Sequence, residues 1–328
     1  MGPGSRPSRA LVSTPDPRVD GRVGVVGAGA VGASLVAMML DAGLPVSVIA
    51  EGARALRLRD AGLAVNGTTY HPPVDEQPEK GSYSLIVVVT KSTQLDDALP
   101  LIVRAAGRQG LVMSLLNGIS SEAIIRDALR MDGAPPDSVA RRVVPAMILG
   151  IDATRMDEGV TYLNRGTVYF GSDPITAPVP AESLDSVERV FAAAAIPTKR
   201  SRDIMRTLWW KFMINVGINQ ASAILRAPYG LFQRSAAAQD LMVCAMEEVL
   251  ALSEREGVGL TRSDIDEWIA TLAGLNPEAK TSMVQDVEAG RPTEVDLFAG
   301  TVLELAQRHG VQTPVNRVFY QMLSAMEE

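Results

Sequence analysis

Lys211, Asn215 and Asn219 recur every four residues in WWKFMINVGINQ, residues 209–220. Four residues advance an α-helix by about 400°, so the three side chains share one stripe in steps of roughly 40°, beside a face of Trp, Phe, Met and Ile. A buried amide without partners costs about 1–3 kcal/mol and a buried ammonium more, so the stripe must meet either a neighbouring helix or a ligand. An ammonium flanked by two amides can orient a small polar molecule and hand it a proton. The plainer reading has Lys211 snorkelling while the amides bond to other helices.

Other proton carriers are scarce. The chain has two histidines, His71 and His309, and one cysteine, Cys244. A Ser-His-Asp triad, a His-based metal site and a disulfide framework all lack material, so proton transfer falls to Lys, Asp, Glu or Tyr and no metal is expected. A lone cysteine in an apolar run suits the reducing cytoplasm.

A second constellation is Gly27-Ala28-Gly29-Ala30-Val31-Gly32, which matches G-x-G-x-x-G between the Val-rich run RVGVVG and the helical spacing of AVGASLVAMMLDAG. Gly27 allows a tight turn, Gly29 lets backbone approach a pyrophosphate, and Gly32 lets helix and strand pack closely. The phosphates then sit on a helix N-terminus, where unpaired N–H groups favour an anion. Glu51 ends the next expected strand, where an acid accepts hydrogen bonds from an adenosine ribose and repels a 2′-phosphate. That favours NAD(H). Arg54 and Arg57 follow closely and leave NADP(H) open, or serve surface ion pairs.

These groups need elements to hold them. PVSVIAE, SLIVVVT (84–90), GLVMSLL (110–116) and RVVPAMILG (142–150) read as further strands, with helical stretches such as TQLDDALPLIVRAA between them. Strands alternating with helices imply a parallel sheet covered on both faces. GVTYLN and GTVYFG read as a hairpin-like pair, followed by the helix AESLDSVERVFAAAA. Beyond that the pattern is helical, with candidates at 203–225, 236–256, 262–273 and 292–309. The expected architecture is an α/β Rossmann-type dinucleotide-binding domain over 21–201 and an all-α domain over 202–328 that holds substrate and offers a homodimer contact. Residues 1–20 are rich in Pro, Ser and Arg, begin with the cloning-scar-like MGPGS, and are expected to be a disordered tail.

The 328 residues carry 47% hydrophobic content and a net charge of −7, with 31 basic residues scattered along the chain. Nucleic acid is not the expected partner. The uncharged stretch Val23 to Leu40 could pass for a membrane or signal segment, but its four glycines read as strand, turn and helix, so no membrane partner is expected.

Three more stretches belong with the Lys211 stripe: VVVTKS with Lys91, SLLNGI with Asn117, and TSMVQDVEAGRPTEVD with Ser282 and Glu294. Lys91 and Asn117 follow expected strands, which puts them at the carboxyl edge where open α/β sheets bind ligands. Each has a bland alternative: a solvated loop charge for Lys91, a turn for Asn117-Gly118, a helix cap for Ser282 and a first-turn acid for Glu294.

Together the glycine turn, T-K-S, L-N-G, W-W-K-x-x-x-N-x-x-x-N, and T-S-M-x-Q-D with T-E-V-D resemble the ketopantoate reductase family (2-dehydropantoate 2-reductases), in order from about residue 22 to residue 320. The resemblance implies a Rossmann-type domain joined to a helical one, with a 2-keto acid, usually ketopantoate on the way to pantothenate and coenzyme A, reduced in the cleft between them. By position, Lys211 is then the general acid, Asn215 and Asn219 are substrate contacts, Ser282 a carboxylate ligand and Glu294 a partner of the substrate hydroxyl. Asn117 and Lys91 line the cofactor and the reacting centre. Glu51 departs from the pattern, since many members carry Arg there for the 2′-phosphate of NADP(H), the family's usual cofactor. Two rivals remain: a β-hydroxyacid dehydrogenase-like reductase, whose glycine-rich substrate loop is not found after the fourth strand, and an NAD(P)-sensing protein without turnover.

Overall fold

The computed structural model describes residues 21–156 and 158–328; the expected tail over residues 1–20 lies outside them. Six short strands form the central sheet: β1 (Val23–Val26), β2 (Val46–Ile49), β3 (Val74–Asp75), β4 (Leu85–Val88), β5 (Leu111–Ser114) and β6 (Val143–Val144). Every pairing is parallel, and the spatial order is β3-β2-β1-β4-β5-β6. This is the doubly wound order that carries dinucleotides at the point where it reverses, between β1 and β4. Apart from Ser47, Asp75 and Ser114 the strands are apolar, because both faces of the sheet are covered. Val23 and Val25 point into a cluster with the helix α1 (Ala30–Asp41), whereas Val26 points into one with the helices Leu95–Ala106 and Ser121–Met131.

Two expectations about strands are corrected. RVVPAMILG is not one strand: Val143–Val144 completes the parallel sheet, and Ala146–Ile151 passes into a separate sheet, antiparallel to Arg165–Phe170. Pro145 stands at the break, where a residue without an N–H cannot carry a ladder bond onward. GVTYLN and GTVYFG do not pair with each other either. Gly159–Thr161 pairs with Thr154–Met156 and with Leu63–Val65, and Arg165–Phe170 lies between Ala146–Ile151 and Thr198–Arg200.

From Ile204 onward the chain is helical. Ile204–Leu225 is one continuous rod, but Asn215–Asn219 within it forms a π turn. The expected helix over 292–309 begins only at Asp296, again with a π turn, Asp296–Gly300, before Thr301–His309. Glu294 therefore sits on the approach to the helix and not in its first turn. Ser282–Glu288 and Pro314–Met326 are further helices beyond the expected set. The two π turns touch and share one side chain. Gln220, fully buried, donates from Nε2 to Val216 O at 2.8 Å and accepts at Oε1 from Ala299 N at 3.2 Å. A π turn frees backbone groups from the i→i+4 ladder, and here one amide satisfies a group from each.

Candidate active site

The glycine turn has the shape an approaching anion needs. Gly27 has φ +99°, and a Cβ there would stand 2.7 Å from Thr90 N and from the Val89 carbonyl. A Cβ on Gly32 would fall 1.9 Å from Gly27 O, so strand and helix touch through bare backbone. Among the described residues, no atom beyond Gly29's own neighbours in the chain lies within 4 Å of where a Gly29 Cβ would stand. The first turn of α1 carries no acidic residue, and Gly29 gives it no side-chain cap. Thr90 Oγ1, beside the turn, is shut off from solvent without a partner among the described residues. These features fit a pyrophosphate on the N-terminus of α1. Glu51 is exposed two residues beyond β2, as the N-cap residue of the helix Gly52–Ala61, with Arg54 and Arg57 exposed on that helix.

The helical region supplies a second group of candidate residues. Lys211 lies in the last turn of Ile204–Ile214, and its Nζ donates to Ile148 O at 3.0 Å. That carbonyl is neutral. Burial pulls the Lys211 ammonium down from the usual lysine range to about 8, and the charge of Glu294 opposes the shift without cancelling it. Glu294 is pushed above the usual carboxylate range by its own burial, while the Asn117 hydrogen bond and the charges of Lys91 and Lys211 pull the other way. Asn117 Nδ2 donates to Glu294 Oε2 at 3.0 Å. Lys91 Nζ lies 3.2 Å from Asp286 Oδ2, a carboxylate that also meets Arg291 Nε at 2.8 Å.

Asn215 and Asn219 are both buried, 9% and 7% exposed, and joined by one long contact of 3.5 Å from Asn219 Nδ2 to Asn215 Oδ1. Each amide keeps donors and acceptors beyond that contact. The π turn alters the assumed 40° stepping, because a wider turn rotates each residue less. Ser282 is exposed, at the first residue of the helix that carries Asp286 and packs on residues 215–225. The cap of that helix is Thr281, whose Oγ1 bonds Ser222 Oγ at 2.9 Å.

The structure thus brings Lys211, Glu294 and Asn117 to one place, with Lys91 attached through Asp286. A cavity of about 550 Å³ opens elsewhere, over Met147, Leu149, Tyr169 and Trp210. Met147 and Leu149 point from their strand away from Ile148, so this cavity is on the far side of the strand from the Ile148 core. The convergence of a depressed ammonium, a raised carboxyl and interlocking amides marks the chemistry better than volume does.

The sequence profile described as "Ketopantoate reductase PanE/ApbA" matches residues 23–174, and its partner, "Ketopantoate reductase PanE/ApbA C terminal", matches residues 203–327. The chain belongs to the ketopantoate reductase family. The 2-dehydropantoate 2-reductase of Pyrococcus horikoshii is 25% identical over 309 residues, 93% of this chain and 97% of that protein. The enzyme of the same name from Halobacterium salinarum is 27% identical over 315 residues, covering 92% and 97%. Among solved structures, the PanE/ApbA family ketopantoate reductase of Ralstonia eutropha JMP134 aligns with a TM-score of 0.77 at 26% identity, over 93% of this chain and 98% of that one. D-mandelate dehydrogenase, solved with NADH and anilino(oxo)acetate, aligns with a TM-score of 0.79 over the same shares at 22% identity, a likeness of fold.

Within this ketopantoate reductase fold, several site residues escape sequence reasoning. Asp286 stands in the quoted T-S-M-x-Q-D block, and only its distance to Lys91 singles it out. Gln220 ends the Lys211 segment and continues it as a polar residue in an apolar helix, which was the available signal. The Ile148 carbonyl has no sequence signal, since any residue there offers one.

Proposed function

We propose that the chain reduces the ketone of a 2-keto acid, 2-dehydropantoate foremost, using a nicotinamide dinucleotide held by residues 21–201 and a substrate gripped by residues 202–328. In this reading the product, pantoate, feeds pantothenate and coenzyme A synthesis. The observation that carries the reading is the Lys211 ammonium, brought down to about 8 by burial and fixed by a neutral carbonyl at 3.0 Å. The names of the relatives supply the substrate, and the carboxylate of Glu51 favours NADH over NADPH.

A bound dihydronicotinamide supplies a hydride to the carbonyl carbon, and the protein must supply the proton to oxygen. Lys211 suits that task. At neutral pH it is protonated, it stabilises the developing alkoxide, and its lowered pKa makes the proton easy to give up. Ile148 O aims the ammonium, and Asn117 turns Glu294 into place. Glu294 then accepts from the substrate's distal hydroxyl, Asn215 and Asn219 orient the keto acid along the helix, and Ser282 meets its carboxylate. Lys91, tethered by Asp286, would line the cofactor and the reacting centre together with Asn117.

The deciding experiment assays a panel of 2-keto acids with NADH and with NADPH, alongside direct nucleotide binding. Reduction of ketopantoate supports the reading. Tight nucleotide binding with no reduction of any keto acid would assign the chain to nucleotide sensing instead.

A further inference from the structure

Arg155 lies on the strand Thr154–Met156, outside the parallel sheet and outside every motif that points to a nucleotide. Its Nη1 donates to Ala28 O at 3.2 Å, across 127 positions of chain. Ala28 is the second residue of the glycine turn. We infer that Arg155 is a direct contact of the dinucleotide's pyrophosphate, an arm laid over the glycine turn from a separate hairpin. The inference rests on reading that turn as a dinucleotide site.

The arm is held independently of that one bond. Thr154, Arg155 and Met156 pair with Thr161, Val160 and Gly159, and Val160 pairs in turn with Val65. Val160 is 4% exposed in the core that contains α1. A Cβ on Gly159 would meet Ala64 O at 2.6 Å, so the two strands approach too closely for any other residue. Asn66 clamps the hairpin's exit, accepting from Tyr162 N at 2.9 Å and donating to Tyr162 O at 3.0 Å. Burial and backbone pairing therefore place Arg155, the exposed middle residue of its strand.

Its chemistry suits a phosphate. A guanidinium has five N–H donors, and the Ala28 carbonyl engages one nitrogen. The first turn of α1 has no acid, and one oxygen of Asp152 already accepts from Leu163 N at 2.9 Å and Asn164 N at 2.8 Å. The positive end of the α1 dipole and a forked cation bonded to Ala28 O then flank the same glycine turn, which is an arrangement for an anion.

The test measures dissociation constants of NADH, ADP and adenosine for the parent, Arg155→Gln and Arg155→Lys, together with Tm. Arg155→Gln should weaken NADH and ADP by about tenfold, the scale of one charge-assisted phosphate contact, and leave adenosine and Tm where they were. Arg155→Lys should recover part of the loss, since it keeps the charge without the fork. Unchanged NADH affinity overturns the inference. Equal losses for all three ligands with a lowered Tm also overturn it, by making Arg155 a structural strap. A parent that binds neither NADH nor ADP removes the dinucleotide reading itself, and this inference with it.

Discussion

Asn117 and Glu294, 177 positions apart, meet at 3.0 Å with the amide donating to the carboxyl. One follows β5 and the other precedes the helix that starts at Asp296, so the bond joins the parallel-sheet region to the helical region. Lys91 and Asp286 make a second such bridge at 3.2 Å. Groups with predicted roles in catalysis and binding thus lock the two regions together.

Glu294→Ala should raise KM for ketopantoate more than KM for a 2-keto acid lacking the distal hydroxyl. Only the former loses a hydrogen bond, worth about 1.5–3 kcal/mol if the acid is charged. Steady-state kinetics on both substrates check this, and equal losses would reassign Glu294 to structure.

Lys211→Ala should lower kcat by about 10²–10⁴-fold while NADH affinity and fold persist, and Lys211→Met separates lost packing from the lost proton. Near-parental kcat in either variant would end the catalytic assignment.

The pH profile follows from the same residue. Reduction needs Lys211 protonated, so the rate is full below its pKa and falls as pH rises through about 8. Glu294 holds that pKa up, so Glu294→Gln should move the falling limb to lower pH. Rate profiles between about pH 6 and 10 read both the limb and its direction of movement.

Coenzyme choice should turn on Glu51. The parent should favour NADH in kcat/KM, and Glu51→Arg should shift the ratio towards NADPH by exchanging a repelled 2′-phosphate for a paired one. A parent that strongly prefers NADPH, or a ratio unmoved by the substitution, contradicts this.

The glycine turn separates fold from binding. Gly32→Ala puts a Cβ 1.9 Å from Gly27 O and should destabilise the protein by about 1–3 kcal/mol, seen as a lower Tm. Gly29 sits at φ −73° with open space around it, so Gly29→Ala should leave Tm unchanged and weaken NADH binding, measured by fluorescence titration.

The fold class was legible because short apolar strands, a glycine turn and 3.6-residue spacing are local signals, and a covered parallel sheet follows from their alternation. The recurrence of Lys211, Asn215 and Asn219 was legible for the same reason, as were the blocks that name the family. Which strands pair was not. Gly159–Thr161 and Arg165–Phe170 are adjacent in sequence yet belong to different sheets, because their partners, Leu63–Val65 and Ala146–Ile151, are fixed by packing far along the chain. Gln220 joins the two π turns by reaching Ala299 across 79 positions, and the Lys211 ammonium is brought down only because the folded chain buries it. Residue type and spacing determined the chemistry available to this chain. Tertiary structure decided which groups meet and what charge they keep, because desolvation and long-range hydrogen bonding exist only once distant segments have closed on one another.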